Sequence, residues 1–346
     1  MIANRMHEIP DVEGPDGKQR KLPLPQSLSL PELIAAAPTP PPEIIQGLIH
    51  TGTKTILGGG SKTYKTWILM DMALSVAEGV PFWGYPTNKN RVLYLNMELQ
   101  PYFGGDRFKQ ICTAKCIPLS SNIEVWTLRG HASPIEMIAE DLVQKAINGN
   151  FTFIVLDPIY KLLGDRDENS NGDIALMLNV IESLANRTGA AIVFGHHFAK
   201  GAQGGKMAID RMSGAGSWAR DPDTIITVTP HEDDDAFIID MILRNHAQQS
   251  PFVVRRKHPL MVKDEEADAT AVRVPGQKPT LTKEQTIEVF PEDTDGVKKS
   301  DWVAECVDAY GCGERTAERR ISDCLRKGWV FKAKVPGYQH DKYFKK

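Results

Sequence analysis

The sequence predicts an α/β fold with a mostly parallel β-sheet, followed by a small, separate C-terminal unit. The first observation is an alternation, from about Ile44 onwards, between apolar runs of strand length and segments with helical spacing. Such alternation builds βαβ units, in which neighbouring strands are parallel. The second observation is a polar, acidic stretch near residues 264–296, which separates residues 297–346 from the rest of the chain.

The elements of the sheet follow one another in a regular order. Its early strands are buried, apolar runs, and helical segments separate them. These strands are Thr53–Leu57, Arg91–Met97, Phe151–Leu156 and Ala190–Phe194. Two later strands, Thr224–Thr229 and Phe237–Leu243, are joined by a short polar turn, which predicts an antiparallel extension of the sheet.

Composition divides the chain into four regions. Residues 1–40 are polar and Pro-rich, and we expect a disordered arm and linker there. Residues 41–264 form the α/β domain, residues 265–296 a linker, and residues 297–346 a second domain. The chain of 346 residues is 41% hydrophobic with a net charge of −3, so a nucleic-acid surface must be local.

Membrane and secretory classes are not indicated by the sequence. No apolar run approaches the ~18 residues that a membrane span needs, and the N-terminal segment has no apolar signal region. The five cysteines are an odd number without a disulfide framework. We therefore expect a protein of the reducing cytoplasm.

A glycine-rich segment between the first strand and the first helix has the pattern of a phosphate-binding loop. It matches G-x-x-x-x-G-K-[ST] except at Tyr64, where the pattern has glycine. Small residues let backbone N–H groups wrap phosphates, and the helix N-terminus adds its dipole. We expect ATP to bind these residues: Gly59, Gly60, Ser61, Lys62, Thr63, Tyr64, Lys65 and Thr66. A glycine turn without a ligand is the alternative, which the flanking strand and helix disfavour.

Individual residues of this loop have expected roles. Lys65 holds the motif position that neutralises the β- and γ-phosphate oxygens, and Lys62 can share that task. The Thr66 hydroxyl is expected to ligate Mg²⁺. Tyr64 either lies along the sugar or closes the site.

Two carboxylates end buried strands, where they can meet the phosphate loop. Asp157 ends the run FIVLD and is expected to hold the Mg²⁺ shell, with a turn cap before Pro158 as the alternative. Glu98 ends VLYLNME and can act as the general base that polarises the attacking water. A solvated residue at a strand end is an equally open interpretation of Glu98.

A histidine pair and a basic loop follow the strand AAIVF. His196 and His197 can contact the γ-phosphate and report its loss, although a single histidine there is more often structural. The next segment is long, glycine-rich and basic, as in segments that bind partners. Its Lys200, Lys206 and Arg211 can meet DNA phosphates, with a solvated surface loop as the alternative.

Together these segments resemble the RecA-like ATPases of the plasmid RepA-type replicative helicases. The resemblance covers the chain from about Pro42 to Val262. It is carried by GLIHTGTKTILGGGSKTYKTWILMDMALSVAEG, RVLYLNMEL, FIVLDPIYKL, IVFGHH and GAGSWARDPD. It implies a RecA fold, a hexameric ring around single-stranded DNA, and hydrolysis of ATP with Mg²⁺ between subunits.

The same resemblance implies roles for single residues. Lys65 and Thr66 would act at the phosphates, Asp157 at Mg²⁺ and Glu98 as general base. His197, or His196, would be the sensor of the γ-phosphate. Arg220 would be the arginine finger that acts in trans, although the length of the basic loop leaves Arg211 as an alternative.

Residues 297–346 have the pattern of a winged helix: two helices joined by a glycine turn, then a β-hairpin. They contain twelve Lys/Arg and seven Asp/Glu, a local net charge of +5. This is the charge pattern of a DNA-binding module, with these residues as candidate contacts: Arg315, Arg319, Arg320 and Lys334. A winged helix that docks another protein is the alternative.

The favoured interpretation is an ATP-driven DNA helicase of a mobile element, with a RecA-like motor and a tethered winged helix. The second interpretation is an ATP-dependent switch or loader that binds DNA without unwinding it. A third makes the protein a winged-helix regulator whose core binds nucleotide and barely hydrolyses it. A general base at Glu98 is the feature that separates a motor from the other two.

Overall fold

The structure is a computed structural model that describes residues 26–131, 133–197, 216–273, 281, 283–291 and 295–346. The chain divides into two compact units, a larger one that ends at Val274 and a smaller one that starts at Pro275. The larger unit carries the phosphate loop.

A nine-stranded sheet forms the centre of the larger unit. Two short strands, β1 (Glu43–Ile45) and β2 (Ile49–His50), form a separate hairpin before it. The sheet strands are β3 (Lys54–Gly59), β4 (Val92–Asn96), β5 (Ile123–Thr127), β6 (Phe153–Asp157), β7 (Ala191–His197), β8 (Thr224–Pro230), β9 (Ala236–Leu243), β10 (Phe252–Lys257) and β11 (Leu260–Asp264).

The strand order is β11-β10-β9-β8-β3-β7-β6-β4-β5. The six strands from β8 to β5 are parallel, and β9, β10 and β11 continue the sheet in antiparallel fashion. The predicted α/β class with a mostly parallel sheet is therefore confirmed. Because parallel strands end at the same edge, residues that follow β3, β4, β6 and β7 are brought together there.

Helices cover both faces of the sheet, which explains why its central strands are continuous apolar runs. Along β6, Phe153 and Val155 face one apolar cluster, whereas Ile154 and Leu156 face the other. The helices of the first cluster are α2 (Lys65–Glu78) and α3 (Pro101–Lys115), and those of the second are α4 (Ile135–Gly149) and α5 (Asn171–Thr188). The short helix α6 (Ser217–Arg220) also contributes a buried Trp218 to the second cluster.

The sequence interpretation treated residues 1–40 as a disordered arm and residues 265–296 as a linker, but parts of both segments have defined structure. Residues Leu30–Ala36 form a helix, α1, whose Ser29 and Glu32 make a capping box. Residues 265–273 pack against the sheet, because Ala267, Ala269 and Val272 contact the apolar side chains of β9 and β10.

In its described residues, the smaller unit has three helices and a hairpin. They are α7 (Lys283–Glu288), α8 (Lys299–Tyr310), α9 (Glu314–Arg326), β12 (Val330–Ala333) and β13 (Lys342–Lys345). The fully buried Trp302 lies at the centre and donates its indole N–H to the Thr286 carbonyl at 2.8 Å. Apolar side chains of α8, α9 and β12 surround it.

Arg320 of α9 differs from its expected place on a DNA-binding surface. It is only 4% exposed, and its Nε donates to the Leu281 carbonyl at 3.0 Å. Its Nη1 donates to the Asp323 carboxylate at 3.1 Å, so the charge is paired inside the unit. We therefore leave Arg320 out of the proposed DNA surface. Arg315 and Lys334 are exposed, and Arg319 is half-buried.

Two observations concern membrane-spanning helices and disulfide bonds. Among the described helices, none is both long and apolar enough to cross a membrane. All five cysteines are free thiols, and four of them are buried.

Candidate nucleotide-binding site

The phosphate loop connects β3 to α2 at the edge of the sheet where the parallel strands end. Close packing explains the glycine at position 59: a Cβ there would lie 2.7 Å from Thr63 Oγ1 and 3.1 Å from the Val228 carbonyl. The Thr63 hydroxyl donates to the Gly60 carbonyl at 2.9 Å and closes the turn. Since α2 begins at Lys65, the free N–H groups of its first turn face the loop.

Tyr64 occupies the left-handed backbone region, with φ 62° and ψ 24°. This explains why the motif has glycine at this position, because a side chain in that region costs about 1–2 kcal/mol. The Tyr64 ring is held from two sides. The Arg256 guanidinium lies 3.8 Å from its centroid, and the Phe237 ring meets it edge-on at 5.7 Å.

Lys65 is buried at the centre of the loop, with 7% of its surface exposed. Its Nζ donates to the Gly59 carbonyl at 2.9 Å and to the Gly60 carbonyl at 2.8 Å, and it lies 3.2 Å from His197 Nδ1. Burial lowers the pKa of Lys65 to about 8, while the Asp157 and Glu98 carboxylates act to raise it. The predicted lysine, both carboxylates and a histidine therefore share one electrostatic site.

Asp157 and Thr66 converge from β6 and α2. The Thr66 hydroxyl donates to Asp157 Oδ1 at 3.4 Å, and the Tyr94 hydroxyl donates to Oδ2 at 2.6 Å. Burial raises the pKa of Asp157 to about 6, although both hydroxyls act to lower it. The buried Asp157 carboxylate accepts hydrogen bonds from neutral donors only, so these bonds do not balance its negative charge. Asp157 and Thr66 therefore fit a hard divalent cation such as Mg²⁺.

Glu98 lies just beyond β4 with an exposed side chain. Its carboxylate accepts a hydrogen bond from the Tyr160 hydroxyl. Tyr160 belongs to a short 3₁₀ helix, Ile159–Leu162, that starts two residues after Asp157. Burial, followed by the contact with Glu98, raises the pKa of Tyr160 to about 12, so this phenol remains a donor.

The two histidines at the end of β7 have different environments. In the parallel register, His196 lies beside Gly58 and His197 beside Gly59. His197 is exposed, and its Nδ1 lies 3.2 Å from Lys65 Nζ. His196 is 4% exposed and stacks on Trp218 at a centroid distance of 4.2 Å, and burial lowers its pKa to about 3. Of the two histidines, His197 is therefore the one that contacts the lysine of the loop.

Arg220 ends α6 with an exposed side chain. In the described part of the chain, no hydrogen bond or ion pair links its guanidinium to the phosphate loop. Its backbone is fixed, because Arg244 donates to the Arg220 carbonyl and Lys54 pairs with the neighbouring Asp221. Lys200, Lys206 and Arg211 lie outside the described residues.

Sequence reasoning missed several residues that shape the site. Tyr94 and Tyr160 orient the two carboxylates, and Arg256 holds Tyr64. A tyrosine inside the apolar run VLYLN was a usable signal, because a buried phenol needs a hydrogen-bond partner. Arg256 gave no signal, since nothing in the pattern of β10 relates it to the phosphate loop.

The backbone at Tyr64 leads to a test of stability. Tyr64→Gly is expected to be more stable than Tyr64→Ala by about 1 kcal/mol, because both lose the ring but only alanine keeps the left-handed strain. Chemical denaturation of the two variants measures the difference. Ser61, which is exposed and lacks a positive φ, provides the control, and there Ser61→Ala should be at least as stable as Ser61→Gly. An alanine that equals or exceeds glycine at position 64 would contradict the backbone assignment.

The Tyr94 hydrogen bond leads to a pH prediction. Its hydroxyl favours the ionised form of Asp157, so Tyr94→Phe should raise the pKa of Asp157 further above its ordinary value. A protonated carboxylate cannot hold Mg²⁺, so Mg²⁺-dependent binding of a non-hydrolysable ATP analogue should weaken on the acid side. We expect that acid limb to move up by about one pH unit, the value of a hydrogen bond to a charged group.

Calorimetric titration of the analogue with Mg²⁺ at a series of pH values measures this shift. Tyr160→Phe is the control, since Tyr160 donates to Glu98 and should leave the acid limb in place. Identical acid limbs for the Tyr94→Phe variant and the unaltered protein would show that the hydrogen bond does not control the carboxylate.

Two solved structures are similar to this chain at low identity. The ATPase domain of G40P is 11% identical with a TM-score of 0.49, and the match covers 68% of this chain and 96% of that chain. A KaiC-like protein from Pyrococcus horikoshii OT3 is 14% identical with a TM-score of 0.45, covering 64% of this chain and 93% of that chain. At these scores neither adds to the argument from the site.

Sequence comparison gives a firmer result. No curated protein matches the chain. The family described as AAA domain matches residues 18–203, which are more than half of the chain and include the phosphate loop, Glu98, Asp157 and both histidines. The chain therefore belongs to the AAA domain family.

Proposed function

We propose that the protein is an ATPase that hydrolyses ATP at the phosphate loop of β3 and α2. The observation that carries the proposal is the convergence of Lys65, Thr66, Asp157, Glu98 and His197 around one loop. These residues come from four separate segments, and a turn without a ligand would not require them together. Membership of the AAA domain family supports the same activity.

Each residue has a chemical task in this proposal. Lys65 leaves the Gly59 and Gly60 carbonyls and neutralises the terminal phosphates. Thr66 and Asp157 would hold Mg²⁺, which when bound neutralises charge on the phosphate oxygens. Glu98 accepts a proton from the attacking water, while the Tyr160 hydroxyl holds its carboxylate. His197, in contact with Lys65, registers the loss of the γ-phosphate.

We further propose that this ATPase drives a DNA helicase of a mobile element. The resemblance to RepA-type hexameric helicases supports a ring in which Arg220 of one subunit completes the site of the next. The exposed side chain of Arg220 is compatible with that role. Single-stranded DNA would pass through the ring, where Lys200, Lys206 and Arg211 are candidate contacts.

The smaller unit would act as a winged helix that binds DNA. Three helices followed by an antiparallel hairpin support this arrangement. Residues 297–346, the C-terminal part of the unit, carry a net charge of +5, whereas the rest of the chain carries −8, which supports a basic surface in this part of the protein. Arg315, Arg319 and Lys334 remain the candidate contacts, and duplex DNA is a possible ligand of this surface.

Replacing the proposed general base tests the hydrolysis step. Glu98→Gln should lower the rate of ATP hydrolysis at least about 100-fold, because an amide cannot accept the proton of the attacking water. Binding of ATP should be retained, since Lys65, Thr66 and Asp157 are unchanged. Steady-state phosphate release and calorimetric ATP binding measure the two quantities. Persistent hydrolysis in this variant would remove Glu98 from the mechanism.

Two measurements distinguish a helicase motor from an ATP-dependent switch: the stimulation of ATP hydrolysis by DNA and the displacement of a DNA strand. A motor should show both, and the Glu98→Gln variant should lose both. Stimulation without displacement would favour the ATP-dependent switch or loader. Measurable ATP binding with almost no hydrolysis in the unaltered protein would favour the winged-helix regulator.

Mixed oligomers test the assignment of Arg220. Arg220→Ala subunits keep a complete phosphate loop, and Lys65→Ala subunits keep the arginine. If Arg220 acts in trans, each variant alone should be inactive, and a mixture should regain part of the activity at interfaces that combine both intact groups. ATPase rates across mixing ratios measure the recovery. Mixtures as inactive as the separate variants would leave Arg220 without a role in trans.

A further inference from the structure

Three side chains that can ligate a metal converge outside the phosphate loop. Glu43 and His50 belong to the hairpin of β1 and β2, and His246 belongs to the loop between β9 and β10. One nitrogen of each histidine and one carboxylate oxygen of Glu43 all lie within 4.8 Å of one another. Among the described residues, no other three His, Cys, Asp or Glu side chains come together this closely.

The local structure positions each of these side chains. Glu43 and His50 are partners in the register of β1 and β2, so their side chains share one face of the hairpin. The Gly47 N–H donates to Glu43 Oε1 at 3.1 Å and orients the carboxylate. The His246 ring stacks on the His50 ring at a centroid distance of 4.3 Å and an interplanar angle of 4°. Two separate segments of the chain therefore meet at this cluster.

The distances within the cluster suit a shared ion better than hydrogen bonds. Glu43 Oε1 lies 3.5 Å from His246 Nδ1 and 3.8 Å from His50 Nε2. Both separations exceed the range of about 2.7–3.2 Å for an N–H···O hydrogen bond. In a tetrahedral zinc site, by contrast, bonds of about 2.0–2.1 Å place neighbouring ligand atoms roughly 3.3 Å apart.

The stacked rings also argue against a simple ion pair. If both histidines were protonated to pair with Glu43, two positive rings would face each other at 4.3 Å and repel. A metal ion instead binds both rings in their neutral form. An ion shared by the two parallel rings requires them to tilt towards each other. Rotation about χ2 allows this tilt, because that torsion of histidine has a broad energy well.

The cluster lies at the edge of the sheet opposite to the phosphate loop. His246 follows the end of β9, where Leu243 pairs with Thr224, the first residue of β8. Thr224 also pairs with Thr55 at the start of β3, and its hydroxyl donates to the Leu48 carbonyl of the hairpin at 2.8 Å. Since the phosphate loop follows the other end of β3, the cluster is separate from the candidate nucleotide site.

We propose that Glu43, His50 and His246 bind a divalent transition-metal ion of the zinc class, with water as a further ligand. Two histidines, one glutamate and a water form a known type of zinc site. The half-exposed Glu43 leaves a side of the cluster open to that water. Mg²⁺ is a poor occupant, because it prefers oxygen ligands. The ion fastens the β1–β2 hairpin to the loop after β9, a task independent of the proposed ATP hydrolysis.

Zinc titration of the full chain tests the proposal. The protein is treated with a chelator, and Zn²⁺ is then titrated by calorimetry in excess Mg²⁺, which competes for sites made of oxygen ligands. We expect about one Zn²⁺ per chain. His50→Gln and His246→Gln should each weaken binding at least about 10-fold, since even residues that only support a ligand contribute that much. His131→Gln replaces an exposed histidine outside the cluster and should bind like the unaltered protein.

Cobalt substitution identifies the ligands. Co²⁺ in the cluster should give visible absorption bands of a site with nitrogen and oxygen ligands, and His246→Gln should lose them. Cysteine thiolates would add a strong charge-transfer band in the near ultraviolet. Binding at the free thiols of this chain is therefore recognised by its spectrum.

Amide hydrogen exchange tests whether the ion fastens the two segments. Zn²⁺ should slow exchange in residues 43–50 and 244–251 of the unaltered protein, because an ion that joins them opposes local opening. Exchange in Glu43→Gln should respond less to Zn²⁺ at the same concentration. Thermal unfolding without metal checks that each variant is folded.

Several outcomes would overturn the proposal. They are an unaltered protein that does not bind Zn²⁺ in excess Mg²⁺, equal zinc affinities for that protein and both histidine variants, and a cobalt spectrum dominated by the thiolate band. The first and third need no variant, so they decide the matter even if a substitution prevents folding. Failure of the proposed ATPase is distinguishable, because it appears as absent ATP hydrolysis, whereas zinc binding is measured without nucleotide.

Discussion

The candidate site is organised around one constraint, the buried ammonium group of Lys65. This group lies at the edge of the sheet where the parallel strands end. Lys65 is 7% exposed, and an unpaired charge at such a place is costly. Without a ligand, two carbonyls of its own loop satisfy it. Burial also raises the pKa of Asp157 to about 6 while it lowers that of Lys65 to about 8. Burial thus disfavours the charged form of each group, and the proposed complex of ATP with Mg²⁺ would supply a partner for both: phosphate for Lys65 and a cation for Asp157.

The sheet determines where these groups stand, which is why much of the site could be predicted from sequence. Asp157 and Glu98 each follow a run of apolar residues, and such runs are characteristic of strands buried on both faces. The ends of parallel strands meet at one edge whatever the detailed packing is. How near each carboxylate comes to the loop depends on the strand order, in which β6 lies two strands from β3 and β4 lies three strands from it. The alternation of strands and helices and the length of the apolar runs therefore predict which residues lie at this edge of the sheet.

Packing between residues that are distant in sequence could not be predicted. Tyr64 departs from the loop pattern, and the compensating contact comes from Arg256 on β10. Arg320 has the charge of a surface residue, yet it is paired with Asp323 one helical turn away and buried under Leu281. Every arginine of α9 has an acidic residue within about one helical turn. The charge pattern of this helix therefore does not show which arginine is buried. In both cases the deciding partner is set by tertiary structure.

The backbone around Arg220 is anchored partly by β7, the strand that carries the two histidines. His196, the penultimate residue of β7, lies beside Gly58 and stacks on Trp218, two residues before Arg220. On the other side, Lys54 at the start of β3 pairs with Asp221 and with Glu182 of α5. The segment around Arg220 is therefore anchored to both strands that form the loop region, although its side chain remains exposed. The Arg220 backbone thus has a defined position, and among the described residues its guanidinium makes no ion pair. The proposed role of Arg220 at a neighbouring site would depend on such a fixed backbone, because stabilising transition-state charge requires accurate placement.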